Sequence, residues 1–277
     1  MKALAPSTTE RVSEAMRAGV PMRVVGSGTK AGFRLGLGAA LPELRVCMSG
    51  IVEFTPEDQV VVVQAGTPVA ELQSELAKHG QTLPLPPEPL LAGFPGTVAG
   101  SLSMNLPHAL QAQCGSWRDW VLGLTLVRAD GAVARTGSKA VKNVAGYDAH
   151  KLLIGARGSL GVITEVILRT FPLRSLPSCD ASLLREPAGP LWIQRTLRID
   201  FGAAVSAAES DLIAADPASC TLWRGVSLED PPRFAHDWYM RTSPAGLAGE
   251  GLDVGLMRRT KGILDPDGLL NPGEWGE

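Results

Sequence analysis

The chain is poor in the residues that build metal centres and disulfide frameworks, with four cysteines and four histidines spread over 277 residues. Cys47, Cys114, Cys179 and Cys220 form no C-x-x-C pair, which excludes a disulfide scaffold and leaves buried free thiols as the expectation. His79, His108, His150 and His236 show neither H-x-x-x-H nor H-E-x-x-H spacing, so no zinc site can be assembled locally and no metal is expected. No apolar run approaches the ~20 residues of a membrane-spanning helix. The opening "MKALAPSTTERVSEAM" lacks the apolar core of a secretory leader, so a cytoplasmic location is expected. Lysine and arginine runs are missing as well, and a net charge of −2 offers nucleic acid no attraction. An anion, if one is bound, must be held by local groups.

What the chain does have is a composition able to fold around a core, 45% hydrophobic and 19% charged, and length enough for two unequal domains. Ser7 and Glu10 read as a capping box opening a helix that Gly19 closes. A short strand, Pro21–Val25, runs straight into the glycine-rich "GSGTKAG". Strands are expected at Leu44–Met48 and Val52–Phe54, and the β-branched run from Val60 suits burial on both faces. A helix capped by Thr67, with Pro68 in its first turn, places Val69, Leu72 and Leu76 on one face and ends at Gly80. The proline-rich Leu83–Gly96 passage cannot be helical. Trp120–Thr136 reads as a hairpin turning at Asp130-Gly131. Asp148 is expected to cap a short helix through Lys151, Leu152 and Ile154, before a loop at Gly155–Gly161 and a strand at Val162–Thr170 that Pro172 ends. Residues 173–245 are the least patterned and read as a small second module. Gly251–Gly273 returns to order, with a helix ending near Asp265-Pro266 and a turn at Asn271-Pro272-Gly273.

Three glycine-rich loops, Gly26–Lys30, Pro95–Ser101 and Gly155–Val162, each lie beside a strand. Successive backbone N–H groups in such a turn can point at an anion, and Lys30 adds a full positive charge, a combination suited to a phosphate or diphosphate. The first loop is neither a Walker A loop nor a G-x-G-x-x-G helix start. Taken singly, each is equally well an ordinary tight turn. Three of them within the first 165 residues strain that explanation.

The order "GSGTK", "GTVAGSLSMN", "CGSWRDWVLGLTLVRADG", "KNVAGYDAHKLLIGARGSLGVITEV" and "KGILDPDGLLNPG" resembles the FAD-linked oxidases of the vanillyl-alcohol-oxidase type, and among them the smaller flavin subunits of bacterial glycolate oxidases. The likeness covers residues 1 to about 171 and about 250 to 273. It implies an α+β fold, with a PCMH-type FAD-binding domain of two α+β subdomains over residues 1–172 and FAD between them. A reduced cap or substrate-domain remnant would follow over 173–245, and 246–277 would pack back on the FAD domain. Carried across by resemblance, Gly26, Ser27, Gly28, Thr29 and Lys30 would hold the diphosphate. Gly96, Thr97, Val98, Gly100 and Ser101 would line the flavin, with Ala99 where a glycine is often found. Gly115, Ser116, Arg118 and Asp119 would form the next cofactor-facing stretch, and Gly158, Ser159, Gly161, Val162 and Ile163 the loop and strand start lying against the dinucleotide.

The departures from that pattern carry expectations too. Thr29-Lys30 offers no histidine for a covalent flavin link. Cys114 and His108, near the place of a second type of link, read as a packed thiol and a solvated histidine, so FAD is expected to be non-covalent. Residues 173–245 hold one histidine, His236, and Arg195, Arg198, Arg224, Arg233 and Arg241 read as surface groups. Trp117 and Trp120 read as core anchors or as the border of a ring system, and Tyr147 as a cofactor contact or a helix entry. Arg258, Arg259 and Lys261 most simply complement a helix dipole. The resemblance implies a FAD-binding subunit of a glycolate or other 2-hydroxy-acid oxidase or dehydrogenase that carries electrons without completing a substrate site of its own, with no assigned catalytic residue. A catalytic flavin subunit and an iron–sulfur subunit would be its partners, and any contact with the inner face of a membrane would be peripheral and made through them. A free-standing flavin oxidase of a small alcohol or hydroxy acid, and a scaffold with a weak or empty flavin site, remain alternatives.

Overall fold

A computed structural model describes residues 3–30, 41–85, 96–106, 108, 110–139, 148–177, 191–195, 198–208, 212–216, 220–225, 238–240 and 254–275. Tyr147, Cys179, Arg233, His236, Arg241 and most of the proline-rich passage lie outside them.

Helix α1 (Thr9–Arg17) starts one residue later than the sequence suggests. The extended residue before it is Thr8, whose hydroxyl accepts from Arg11 N at 3.3 Å, so Thr8 and not Ser7 is the cap. Gly19, at φ +66°, closes the helix as expected. Val12 and Met16, one turn apart, are buried, and Ser13 donates to Gly131 O at 2.6 Å, fastening α1 to a distant hairpin turn.

Strand β1 (Arg23–Val25) pairs in parallel with β2 (Glu43–Arg45), which stops short of the expected Met48. β3 (Ile51–Thr55) and β4 (Val60–Gln64) follow, and Val60–Val63 are buried throughout, as their β-branched run predicts. Helix α2 (Val69–Lys78) buries Val69, Leu72 and Leu76, but Thr67 does not cap it. The Thr67 hydroxyl accepts from Gly50 N at 2.9 Å and donates to Gly50 O, leaving Pro68 at the cap position. β5 (Gln81–Thr82) precedes α3 (Val98–Met104), a helix formed by the "VAGSLSM" stretch. Two short turns of helix, α4 (Gln111–Cys114) and α5 (Trp117–Trp120), lead into the hairpin of β6 (Val121–Val127) and β7 (Val133–Gly137), which turns where Asp130-Gly131 predicts. Residues Ala149–Leu152 make a 3-10 turn that Asp148 does not cap, because its carboxylate takes the Lys151 ammonium at 2.6 Å.

β8 (Val162–Arg169) ends before Pro172, which instead belongs to β9 (Phe171–Pro172), paired with β5. β10 (Leu191–Arg195), α6 (Phe201–Ala207), β11 (Leu212–Asp216), β12 (Thr221–Gly225) and β13 (Trp238–Met240) form a four-stranded sheet in the order β11-β12-β10-β13 with one small helix. α7 (Val254–Leu264) and the turn after it complete the described chain.

The central sheet is five-stranded and antiparallel, in the order β3-β4-β8-β6-β7. Its buried residues join α1, α2 and α3 in one core containing Met16, Leu72, Leu102, Trp120, Leu124, Val166 and Leu270. Helices and mainly antiparallel strands of this kind make the fold α+β. Lys261 stands in the last turn of α7, where a cation complements the helix dipole, and it is also buried. It is 1% exposed, and its ammonium donates to Asp265 Oδ2 at 2.6 Å and Leu270 O at 2.8 Å, knitting the turn after α7 together.

Candidate functional site

The first glycine loop leaves the end of β1 and meets the start of α3. Gly28 takes φ +79°, a conformation natural only to glycine. A side chain on Gly26 would run into Thr97 Oγ1, and one on Gly96 would come within 2.5 Å of Lys30 Nζ and 3.0 Å of Thr29 Oγ1. These two glycines therefore let the loops rest on each other. Thr97 caps α3 by accepting from Gly100 N at 3.2 Å, and the helix start is bonded down through Val98 N to Thr67 O at 2.9 Å and Ala99 N to Ala65 O at 3.0 Å.

The third glycine loop meets the other end of α3. Gly155 N donates to Leu102 O at 3.2 Å and Arg157 N to Ser103 O at 2.9 Å. Arg157 and Gly158 both take positive φ, +55° and +73°. Between these elements lies a cleft of about 710 Å³, part of it continuous with solvent. Gly26–Lys30, the α3 segment residues Thr97, Ala99, Gly100, Ser103 and Met104, and Arg157, Gly158, Gly161 and Ile163 line it together with Val24, Val25 and Val46.

The cleft therefore gathers all five residues of the first loop, Thr97 and Gly100 of the second, and Gly158, Gly161 and Ile163 of the third. Gly96, Val98, Ser101, Ser159 and Val162 stand behind its walls: Gly96 against Lys30, Val98, Ser159 and Val162 in the interior. Gly115, Ser116, Arg118 and Asp119 do not line it. Ser116 and Asp119 are occupied with each other, since Asp119 Oδ2 accepts from Ser116 N at 2.8 Å while Ser116 Oγ accepts from Arg118 N at 3.3 Å, a capping box for α5. Arg118 donates to Lys151 O at 3.2 Å.

Lys30 dominates the electrostatics. Burial in the cleft wall pushes its ammonium down from 10.5 to about 8, because the charged form is the one that loses hydration. The hydroxyls of Ser27 and Thr29 lie beside it, 3.5 Å from each other. A half-buried cation flanked by hydroxyls on a glycine-bent main chain is a donor set for an anion, and the apolar lining residues Val46, Ala99, Met104 and Ile163 suit an uncharged ring or sugar face. The residues present thus fit a dinucleotide carrying a diphosphate.

Several side-chain readings are corrected. His108 is 4% exposed and packs on Trp120 with ring centroids 5.3 Å apart, so it is a core residue and not a solvated one. Cys47 is exposed and Cys114 and Cys220 are half-buried; burial still pushes the Cys114 thiol up. Arg224 is buried on the inner strand β12, while Arg198 is exposed. Trp117 and Trp120 are core anchors, and Trp120 Nε1 donates to Cys114 O at 2.7 Å. Arg157 and Met104 line the cleft without any local sequence signal, since neither a lone arginine nor a lone methionine announces a binding wall.

Residues 3–137 match the family described as the FAD binding domain. The chain is 34% identical over 177 residues to glycolate oxidase subunit GlcE of Escherichia coli (strain K12), which covers 64% of this chain and 49% of that protein. It is 33% identical over 174 residues to glycolate oxidase subunit GlcD of Bacillus subtilis (strain 168), covering 61% and 36%, and 31% identical over 175 residues to a D-lactate dehydrogenase of Archaeoglobus fulgidus, covering 60% and 38%. The match spans about half the length of the first of these relatives and little more than a third of the other two. Residues 3–137, just under half of the chain, thus match a FAD binding domain, and FAD is the cofactor that this match supports.

Proposed function

We propose that FAD lies in the cleft between the Gly26–Lys30 loop, the start of α3 and the Arg157–Ile163 segment, and that the chain is a FAD-binding subunit of a glycolate or other 2-hydroxy-acid oxidase or dehydrogenase. The observation that carries this reading is the half-buried Lys30 ammonium, set beside Ser27 and Thr29 where glycine lets two loops touch. Lys30 and the two hydroxyls would hold the diphosphate, and charge-assisted hydrogen bonds to it would recover the hydration that the ammonium lost. Bound there, the flavin supplies a ring able to take up two electrons from a hydroxy acid. The chain's own residues orient it, screen its diphosphate from water and keep a positive charge at Lys30 Nζ. Non-covalent attachment is proposed with it, since Thr29-Lys30 offers no histidine for a link.

Relatives named as glycolate oxidase subunits GlcE and GlcD support a place in a multi-subunit complex, with a catalytic flavin subunit and an iron–sulfur subunit as partners. Residues 1–172 would then be the FAD domain, 173–245 a reduced cap and 246–277 a returning segment. No described helix is long and apolar enough to cross a membrane, consistent with any membrane contact being made through partners. The test is purification from the native host with flavin and iron measured on everything that comes down together. Releasable FAD with an iron-containing partner is expected. Colourless protein that fails to take up added FAD would defeat the reading, and bleaching of its flavin by glycolate without any partner would show a free-standing oxidase instead.

A further inference from the structure

The walls of the cleft are joined in a circuit, and one amide closes it. The first loop rests on Thr97, α3 carries the third loop through Leu102 O and Ser103 O, and the third loop is tied back to β1 by Asn271. Asn271 Nδ2 donates to Arg157 O at 2.9 Å, and its Oδ1 accepts from Val24 N at 2.7 Å. Val24 lies two residues before Gly26 and lines the cleft with Arg157 and Gly158, and a side chain on Gly158 would meet Val24 Cβ at 3.6 Å, so the two segments already adjoin where the amide joins them. The amide is 3% exposed and sits on left-handed backbone at φ +46°. It is held there from behind by Asn271 N to Met22 O at 2.9 Å and Met22 N to Leu269 O at 2.8 Å. The buried Lys261–Asp265 pair stiffens the same turn, with Asp265 accepting from Leu269 N at 2.9 Å and Leu270 N at 2.8 Å. Trp275 Nε1 reaches Ser159 Oγ at 2.8 Å, adding a second tie to the third loop.

We propose that Asn271 is a positioning residue for FAD: its side chain clamps the end of β1 to the third loop where the two adjoin at the cleft, and the segment from Lys261 to Trp275 is part of the cofactor site although Asn271 does not line the cleft. The inference rests on the FAD reading above. An amide is suited to the task because one side chain both donates and accepts, and asparagine tolerates left-handed backbone better than other non-glycine residues.

The test compares Asn271→Gly, which keeps the backbone conformation and deletes both ties, with Asn271→Asp, which keeps the acceptor for Val24 N and deletes the donor to Arg157 O. FAD affinity of the full chain is measured by flavin fluorescence at a temperature where circular dichroism shows each variant fully folded. We expect Kd to rise at least tenfold in Asn271→Gly and by less in Asn271→Asp. A purely structural role would lower the melting midpoint and leave Kd of the folded protein alone, so a Kd within threefold of the parent in a folded variant overturns the proposal, and a larger rise supports it. If Asn271→Gly does not fold, Asn271→Asp alone decides on the same threshold, and Trp275→Phe, which removes the second tie, replaces both should neither fold. A parent that binds no FAD would defeat the proposed function, whereas a parent and variants that bind alike would defeat only the role given to Asn271.

Discussion

Replacing Lys30 by methionine should make the flavin-free protein more stable and the flavin complex weaker. In the fold the ammonium is depressed from 10.5 to about 8, which at ~1.4 kcal/mol per pH unit corresponds to about 3 kcal/mol against the charged form. Allowing for partial solvent contact, the expected relief in Lys30→Met is about 1–3 kcal/mol at pH 7. The sign follows from proton binding. Between pH 8 and 10.5 the unfolded chain holds a proton that the fold does not, so parental stability rises with pH across that window and its full deficit is present below it. The advantage of Lys30→Met in urea melts of flavin-free protein should therefore be largest at pH 7 and fade towards pH 10.5. With FAD the order reverses. Loss of charge-assisted hydrogen bonds to a diphosphate, about 1.5–3 kcal/mol, predicts a Kd about tenfold to a hundredfold higher. Parental affinity should fall as pH rises past the ammonium's titration, and that of the variant should stay flat. A variant no more stable than the parent at pH 7, with unchanged FAD affinity, would refute the reasoning.

Two further outcomes are expected. Gly158→Ala places a methyl group 2.8 Å from Asn271 Nδ2 on backbone at φ +73° and should cost about 1–2 kcal/mol in the urea midpoint, with weakened FAD binding. His150 is held below its ordinary 6.5 first by burial, opposed by Asp148 and reinforced by Lys151, so stability should fall as pH drops below about 6.5, and His150→Gln should flatten that slope in melts between pH 7 and 5.

The first and third glycine loops were legible because glycine beside a strand is a local signal, and Lys30 names its chemistry within the same stretch. Helix α3 was not legible, since Gly100 and two serines lower helix propensity; it forms because Thr97 caps it and its first turn is bonded to residues 65–67. The misplaced caps have a common cause. Ser7, Thr67 and Asp148 are each the right type of residue, but Thr8 is better placed than Ser7, and Gly50 and Lys151 compete successfully for the other two side chains. Ser116 and Asp119, a stretch carried across by resemblance, form the capping box of α5. The role of Asn271 as a tie depends on partners far away in sequence, which no window along the chain can reveal.

The tie between Asn271 and Val24 spans 247 residues, and that to Arg157 spans 114. During synthesis both walls emerge from the ribosome long before the amide that joins them, so the nascent chain must wait with an unfinished pocket. Cofactor loading is on this account a late event, and translation arrested before the final helix should yield chains that have their central sheet but retain no flavin.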